Sequence, residues 1–205
     1  MDYFALLGQP RQPWLDADAL KAVFLQQSAR LHPDRVLASD TAEQAAATER
    51  FAKLNAAYNC LREPKDRLLH LLELESGASP ANVQNVPADT VDLLMETGEA
   101  CRQIDPFLAA RSRASSPLAK AQMFEKALEW TTRLQAFQEQ IQLRRDQLLA
   151  ELRAMNDAWN AAPPAPSPAR AGALPLRRLE ELARTFSYMA RCVGQIQERL
   201  AQLSF

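Results

Sequence analysis

The fold of this chain is decided by residues 19–61, which read ALKAVFLQQSARLHPDRVLASDTAEQAAATERFAKLNAAYNCL. Apolar side chains recur at helical spacing on both sides of Pro33, whose ring disfavours helical geometry at the preceding residue. The stretch therefore predicts two amphipathic helices, at 19–31 and 42–61, joined by a loop. Their stripes are Leu20, Val23, Phe24, Gln27 and Leu31 in the first helix, and Phe51, Leu54, Tyr58 and Leu61 in the second.

Shorter elements extend this pair of helices in both directions. Residues 3–7 form an apolar turn near the start of the chain. Pro64 suits a first helical turn, so residues 65–74 are predicted to form a further helix. Residues 76–87 contain one Gly, two Pro and two Asn, a composition that predicts a linker.

Composition extends the helical prediction to the whole chain. Its 205 residues include 36 Ala and 30 Leu but only 6 Val and 3 Ile. Ala and Leu are good helix formers, whereas β-branched residues favour strands. The chain is 47% hydrophobic and 24% charged, as is usual for globular proteins. We therefore expect an all-α protein.

Charge and hydropathy exclude several classes of partner. The formal net charge is -1, so the chain as a whole lacks the basic excess that neutralises nucleic-acid phosphates. No run of 18 apolar residues occurs, and the first residues lack the pattern of a secretory signal. We expect no nucleic-acid partner, no membrane partner and a cytoplasmic location.

Three long helical patterns follow the linker, in residues 88–104, 116–159 and 179–203. Apolar residues of the last pattern alternate at spacings of three and four without interruption, as in the seam of a helical bundle. None of the three can bury its apolar stripe alone, so an antiparallel three-helix bundle is predicted. Pro106 is expected to bend or end the first of these helices.

Two domains are therefore predicted, residues 1–75 and residues 88–205, with residues 76–87 as the linker between them. Within the second domain, residues 161–175 read AAPPAPSPARAGALP. Because this segment is so rich in Ala and Pro, it is predicted to be a loose connection.

His32-Pro33-Asp34 lies between the first two predicted helices. This tripeptide and the sequence around it resemble the J domain of DnaJ-type co-chaperones. The matching residues are Tyr3-Phe4-Ala5-Leu6-Leu7-Gly8, His32-Pro33-Asp34, Leu54-Asn55-x-Ala57-Tyr58-x-x-Leu61 and the stretch 62–67. J domains contain an antiparallel helical hairpin and stimulate ATP hydrolysis by DnaK-type chaperones. The resemblance therefore implies a chaperone partner, and no reaction catalysed by this chain.

The chaperone-binding residues that this resemblance implies are His32, Pro33, Asp34, Lys21, Arg30 and Arg35. Pro33 fixes one backbone dihedral angle, and Asp34 offers a carboxylate that accepts hydrogen bonds from an arginine. Taken without the surrounding pattern, His32 would be read as a capping or packing residue. The three cations would then be an ordinary solvated helix face.

A second resemblance concerns the first predicted bundle helix. Asp92-Leu93-Leu94-Met95-Glu96, followed by Glu99, Ile104 and Asp105, is similar to the C-terminal domain of the HscB family. These proteins are the J-type co-chaperones of iron–sulfur cluster biogenesis. The opening Met1-Asp2-Tyr3-Phe4 and the last helix fit as well, so the resemblance covers essentially the whole chain. It implies that the bundle binds an IscU-type scaffold protein, which the J domain delivers to a specialised DnaK-type chaperone, HscA in bacteria.

The scaffold-binding residues implied by the second resemblance are Leu94, Met95, Glu99 and Phe186. Because Leu94 and Met95 are adjacent, a helix cannot point both into one core line, and one of them is expected to be exposed. In the alternative interpretation, both merely flank the seam of the bundle. Arg102 occupies a place where the family often carries an acid, so the surface is expected to be less acidic.

The cysteines indicate no metal site. Cys60, Cys101 and Cys192 are odd in number, far apart and without a CxxC pair, and we expect neither a metal nor another cofactor. The zinc-binding cysteines of eukaryotic HscB relatives are absent, which favours a bacterial protein. Two alternatives stay open: a J-domain co-chaperone for a different client, and a self-associating helical structural protein whose tripeptide is accidental.

Overall fold

The computed structural model describes residues 1–31, 41–77, 88–114, 116–165 and 167–204. This part of the chain contains nine helices and no strand, which confirms the predicted all-α class. The predicted loop residues His32, Pro33, Asp34 and Arg35 lie outside the described residues. The helices are α1 (Tyr3–Leu6), α2 (Ala17–Leu31), α3 (Thr41–Arg62), α4 (Pro64–Ser76), α5 (Ala88–Arg113), α6 (Pro117–Gln122), α7 (Phe124–Ala161), α8 (Pro168–Ala173) and α9 (Leu176–Ser204).

The chain divides into two compact units. The first unit consists of Met1–Val83 and Ala150–Ala183, and the second unit consists of Gln84–Leu149 and Arg184–Phe205. Two of the boundaries therefore fall inside the long helices α7 and α9. The domain limits predicted around residues 76–87 stay a prediction. The units place residues 150–183 together with the N-terminal helices, which the sequence pattern did not indicate.

Helices α1 to α4 pack around one apolar core in the first unit. Helix α3 contacts α1, α2 and α4, and the rings of Phe24 and Tyr58 stack 4.1 Å apart between α2 and α3. Burying each large apolar side chain contributes about 1.5–3 kcal/mol, so this core holds the four helices together. Its fully buried members are Phe4, Leu7, Leu20, Leu54, Ala57, Leu61, Leu68 and Leu71.

Local chemistry explains where α2 begins and where α4 begins and ends. The Asp16 carboxylate accepts a hydrogen bond from the backbone N–H of Ala19 at 2.8 Å and so caps α2. Pro64 occupies the first turn of α4, as its missing N–H permits. Gly77 ends α4 in the left-handed region at φ 69°, where a side chain would be strained.

In the second unit, α5 continues past Pro106 to Arg113, so Pro106 does not end this helix, and the alternative that it bends the helix stays a prediction. Pro106 is exposed, while Ile104 and Leu108 on either side of it are buried. Proline removes one backbone donor, and the burial of the opposite face outweighs that loss. Tertiary packing therefore decides the length of this helix.

The other two bundle helices follow the predicted seams, with one interruption. The predicted helix 116–159 is divided at Met123 into α6 and α7. Ala127, Leu134, Ile141 and Leu148 are buried along α7 at intervals of seven residues, as in bundle packing. The buried seam of α9 consists of Leu179, Leu182, Phe186, Met189, Ile196 and Leu203.

The described part of the Ala/Pro-rich segment 161–175 is helical only in part. It contains α8, and both Arg170 and Leu174 in it are buried. One charged and one apolar side chain of the segment are therefore buried, and the loose connection expected for residues 161–175 stays a prediction. None of the helices described is both long enough and apolar enough to cross a membrane.

Candidate functional site

Two of the predicted chaperone-binding cations are exposed on α2, on the two flanks of its buried stripe. Lys21 and Arg30 are exposed on this helix, and the apolar Leu25 between them is 54% exposed. Between these flanks, on the inner face of the helix, Leu20 is buried and Phe24 stacks on Tyr58. The α2–α3 packing therefore turns the two cations toward solvent. Arg35 and the tripeptide lie outside the described residues.

A buried arginine ties together the segment before α2 and the junction of α3 with α4. The Nε of Arg67 donates a hydrogen bond to the carbonyl oxygen of Pro13 at 2.9 Å, and one terminal nitrogen donates to that of Leu61 at 2.6 Å. The residue is only 3% exposed. A buried charge is costly unless it is hydrogen-bonded. These contacts therefore stabilise the packing of the segment before α2 against the junction of α3 with α4. Sequence reasoning missed this residue.

His70 on α4 holds α1 in place, a second contact that sequence reasoning missed. Its Nε2 accepts a hydrogen bond from the backbone N–H of Tyr3 at 3.1 Å, and its ring stacks on Phe4 at 5.8 Å. Burial is the main cause that lowers the pKa of His70, against the opposing effect of the Asp2 and Glu73 carboxylates. The imidazole must be neutral at Nε2 to accept this hydrogen bond.

Acidification is expected to weaken the first unit through His70. Because the pKa of His70 is lower in the folded protein than its ordinary value of about 6.5, the unfolded chain takes up this proton first as the pH falls. Its contribution to the free energy of unfolding is therefore complete above about pH 6.5 and declines below that pH. The free energy of unfolding, measured with urea at pH 7.5 and at pH 5, should decline less for His70→Gln than for wild type. His32 is present in both proteins and therefore cannot cause a difference between them. Equal declines of the free energy of unfolding would contradict the assignment to His70.

The N-terminal part of α5 presents the predicted scaffold-binding residues. Met95 is 67% exposed and Leu94 is half-buried, whereas Thr97, Ala100 and Ile104 on the inner face are buried. This agrees with the expectation that two adjacent residues of a helix cannot both join the core. We name Leu94, Met95 and Glu99 the α5 surface.

Glu99 in the α5 surface is paired along its own helix. Its carboxylate accepts hydrogen bonds from Arg102 at 2.6 and 3.1 Å and from the Gln103 amide at 3.1 Å. The hydrogen bond from Arg102 is the main cause that lowers the pKa of Glu99, so this carboxylate stays ionised at neutral pH. The paired cation makes the surface less acidic, as Arg102 in the sequence indicated.

Phe186, the fourth predicted scaffold-binding residue, lies in the core. It is 3% exposed, in the buried row that continues through Leu182 and Met189 of α9. A side chain with so little exposed area packs within the bundle and does not contribute to an exposed surface. The surface that we propose below therefore omits Phe186.

The three cysteines have the properties of packing residues. Burial is the main cause that raises the pKa of Cys60, to about 11, and it raises the pKa of Cys101 and of Cys192 as well. A thiolate is the form that binds metals, and these thiols resist losing their proton. In the described ranges, no three His, Cys, Asp or Glu side chains are grouped so that they could hold a metal ion.

Anaerobic incubation with iron and sulfide is accordingly expected to leave the protein without charge-transfer absorption in the visible range. An IscU-type scaffold treated in parallel serves as the positive control. Reproducible formation of one cluster per chain would show that the cysteines had been misinterpreted.

Comparisons with known proteins agree with this geometry. Residues 2–70 match the family model of the DnaJ domain. Chaperone HscB from Vibrio cholerae has a solved structure that is similar over 99% of both chains, with a TM-score of 0.57 and 22% identity. The crystal structure of human co-chaperone protein HscB is similar over 97% of this chain and 81% of that chain, with a TM-score of 0.63 and 16% identity.

Residues 2–70 therefore form a DnaJ domain. Over almost its whole length, the chain has the fold of the HscB co-chaperones. Both resemblances drawn from the sequence are confirmed at this level.

Proposed function

We propose that this protein is a co-chaperone that stimulates ATP hydrolysis by a DnaK/HscA-type chaperone and delivers an IscU-type scaffold protein to it. The observation that carries the proposal is the similarity of fold to HscB from Vibrio cholerae over 99% of both chains. A DnaJ domain alone would leave the client open, but here the helices that follow it also share the HscB fold. The chain would then regulate a partner's reaction and perform no catalysis itself.

The chaperone-binding side of the proposal rests on the DnaJ domain. His32, Pro33 and Asp34 would contact the chaperone, and the nearby cations would steer the domain toward an acidic surface. Lys21 and Arg30 support this role because both are exposed on α2. Arg35 is assigned with them from its place in the sequence.

The scaffold-binding side of the proposal rests on the α5 surface. Met95 offers a flexible apolar side chain that can be buried on binding, and Leu94 beside it is half-buried. Glu99 remains ionised and places a carboxylate at the edge of this apolar area. A partner that fits would present an apolar patch with a cation at its rim.

The two binding sites on one chain explain why the scaffold would increase the effect on the chaperone. A scaffold held by the co-chaperone is presented to the chaperone at a high effective concentration. Binding of either partner then favours binding of the other, and this coupling is reciprocal. We further propose that the protein acts in the bacterial cytoplasm, where its cysteines would stay reduced.

The proposal is tested by measuring the ATPase rate of a purified DnaK/HscA-type chaperone with and without this protein and an IscU-type scaffold. Stimulation by the protein alone, and further stimulation when the scaffold is added, is the expected result. Stimulation without any scaffold binding would indicate a co-chaperone for a different client. Absence of stimulation at saturating concentrations would contradict the chaperone role.

A further inference from the structure

A glycine lies in the interior of α5, among the residues of the α5 surface. Gly98 follows Leu94 by four residues and Met95 by three, so the three residues are neighbours on one side of the helix. Gly98 is itself partly exposed. After proline, glycine is the least favourable residue in the interior of a helix. Its presence in a helix of 26 residues therefore needs a physical reason.

Neither the backbone nor the packing of the bundle requires a glycine at position 98. Among the described residues, the positive φ that favours glycine occurs only at Gly8 and Gly77, and Gly98 has ordinary helical geometry. A Cβ atom added at Gly98 would meet, apart from its own helix backbone, one described atom within 4 Å, a terminal nitrogen of Arg102 at 3.8 Å. That distance is an ordinary van der Waals contact, and the Arg102 side chain is 71% exposed. A larger residue at position 98 would therefore leave the bundle undisturbed.

Its neighbours distinguish Gly98 from Gly194 on α9, which is equally unhindered. The residues three and four positions from Gly194 are exposed and include no large apolar side chain: Ala190, Arg191, Gln197 and Glu198. Gly98 instead lies one turn from the half-buried Leu94 and from Met95, which is 67% exposed. One turn further along α5, the guanidinium of Arg102 is held by two hydrogen bonds to Glu99. We name the space above Gly98, between Leu94 and Met95 on one side and Arg102 on the other, the Gly98 notch.

We propose that the Gly98 notch receives one large apolar side chain of the IscU-type scaffold and thereby determines which scaffold this protein accepts. A side chain that enters the notch is buried against Leu94 and Met95, whereas a flat surface would leave much of it in water. A scaffold with a small residue at the matching place would leave the notch unfilled and bind less tightly. The proposal rests on the scaffold role proposed above and adds the shape that the scaffold must have.

The notch is tested by filling it. Gly98→Leu and Gly98→Ala are made in the full-length chain, and titration calorimetry measures the Kd of each for the IscU-type scaffold of the same organism. Gly98→Leu should raise Kd roughly tenfold or more and Gly98→Ala roughly threefold, because both place atoms where the partner's side chain must fit. On a flat surface, the added apolar area would instead lower Kd. An unchanged or lower Kd with Gly98→Leu would overturn the proposal.

Filling the notch should stabilise the free protein while it weakens binding. Alanine favours a helix more than glycine does, so Gly98→Ala should raise the melting temperature by roughly 2–4 °C. Damage to α5 would also weaken binding, but it would lower the melting temperature. Loss of affinity together with a lower melting temperature in Gly98→Ala would therefore overturn the proposal.

Gly194→Ala is the matched control. It makes the same change inside a helix, at an equally unhindered position outside the α5 surface. This variant should raise the melting temperature by a similar amount and leave the Kd for the scaffold unchanged. An equal loss of affinity in Gly194→Ala would show that the notch has no special role, and would overturn the proposal.

A scan of the scaffold identifies the side chain that enters the notch. Each exposed large apolar residue of the scaffold is replaced in turn by Ala. One replacement should weaken binding to the wild-type protein but bind Gly98→Leu more tightly than the unchanged scaffold does, because the leucine then occupies the space that the truncation leaves. If no replacement behaves in this way, the notch is overturned and the scaffold role stands. If the wild-type protein binds no scaffold at all, both the notch and the proposed function are overturned.

Discussion

Replacement of His32 by Gln is expected to reduce the stimulated ATPase rate of the chaperone to its unstimulated value. The DnaJ-domain assignment of residues 2–70 makes the His-Pro-Asp tripeptide the proposed contact, and a few central residues usually carry most of a binding interface's energy. Gln keeps a polar side chain but loses the imidazole ring. The measurement is the steady-state ATPase rate over a range of co-chaperone concentrations, up to saturation.

The second histidine of the chain provides the matched control. His70→Gln makes the same chemical change on α4, where the ring packs on Phe4 and bonds Tyr3, and we expect it to lower stability by about 1 kcal/mol. At a temperature where it is folded, this variant should stimulate the chaperone like wild type. Retained stimulation by His32→Gln, or equal losses in both variants, would contradict the proposed role of the tripeptide.

Replacement of Leu94 and Met95 together by Ala is expected to weaken scaffold binding tenfold or more. Each truncation removes apolar area that would contribute about 1–3 kcal/mol if it is buried on binding, and about 1.4 kcal/mol corresponds to a factor of ten in Kd. Titration calorimetry with an IscU-type scaffold measures this change. The variant should keep basal stimulation of the chaperone but lose the further stimulation that the scaffold adds.

A comparably exposed residue on another helix controls for a general loss of apolar surface. Leu143 on α7 is 63% exposed, close to the 67% of Met95, and Leu143→Ala should leave scaffold affinity unchanged. Far-UV circular dichroism and the melting temperature show whether the double variant is folded, since Leu94 is half-buried. A folded double variant with wild-type affinity would place the scaffold-binding site elsewhere and leave the DnaJ assignment intact.

Much of the fold follows from local pattern. The Ala and Leu content predicted an all-α chain, and the apolar spacing of α9 predicted the seam that the structure buries at Leu179, Phe186 and Ile196. Apolar stripes of this kind can be predicted from the sequence because helical periodicity depends only on residues that are close together in the chain. The α5 surface followed in part from the same rule, since the adjacent Leu94 and Met95 could not both be buried.

Other features of the fold and site could not be predicted from the local sequence pattern. Pro106 is a helix breaker by itself, yet α5 continues past it because Ile104 and Leu108 are buried on the bundle. Phe186 matched a binding role by position and also belonged to the predicted seam of α9, and its 3% exposure places it in the core. Whether a side chain on an apolar seam reaches the surface depends on the neighbouring helices, which a single stripe does not describe.

The sequence by itself determined the helical class, the His32-Pro33-Asp34 tripeptide between two amphipathic helices and the resemblance to J-type co-chaperones. Each of these depends on residues close together in the chain, or on short motifs. Only the tertiary structure decided that the Ala/Pro-rich segment would be held to α4 by Arg170 and Glu75, 95 positions apart. A buried ion pair forms where the fold brings two charges together and excludes water from both.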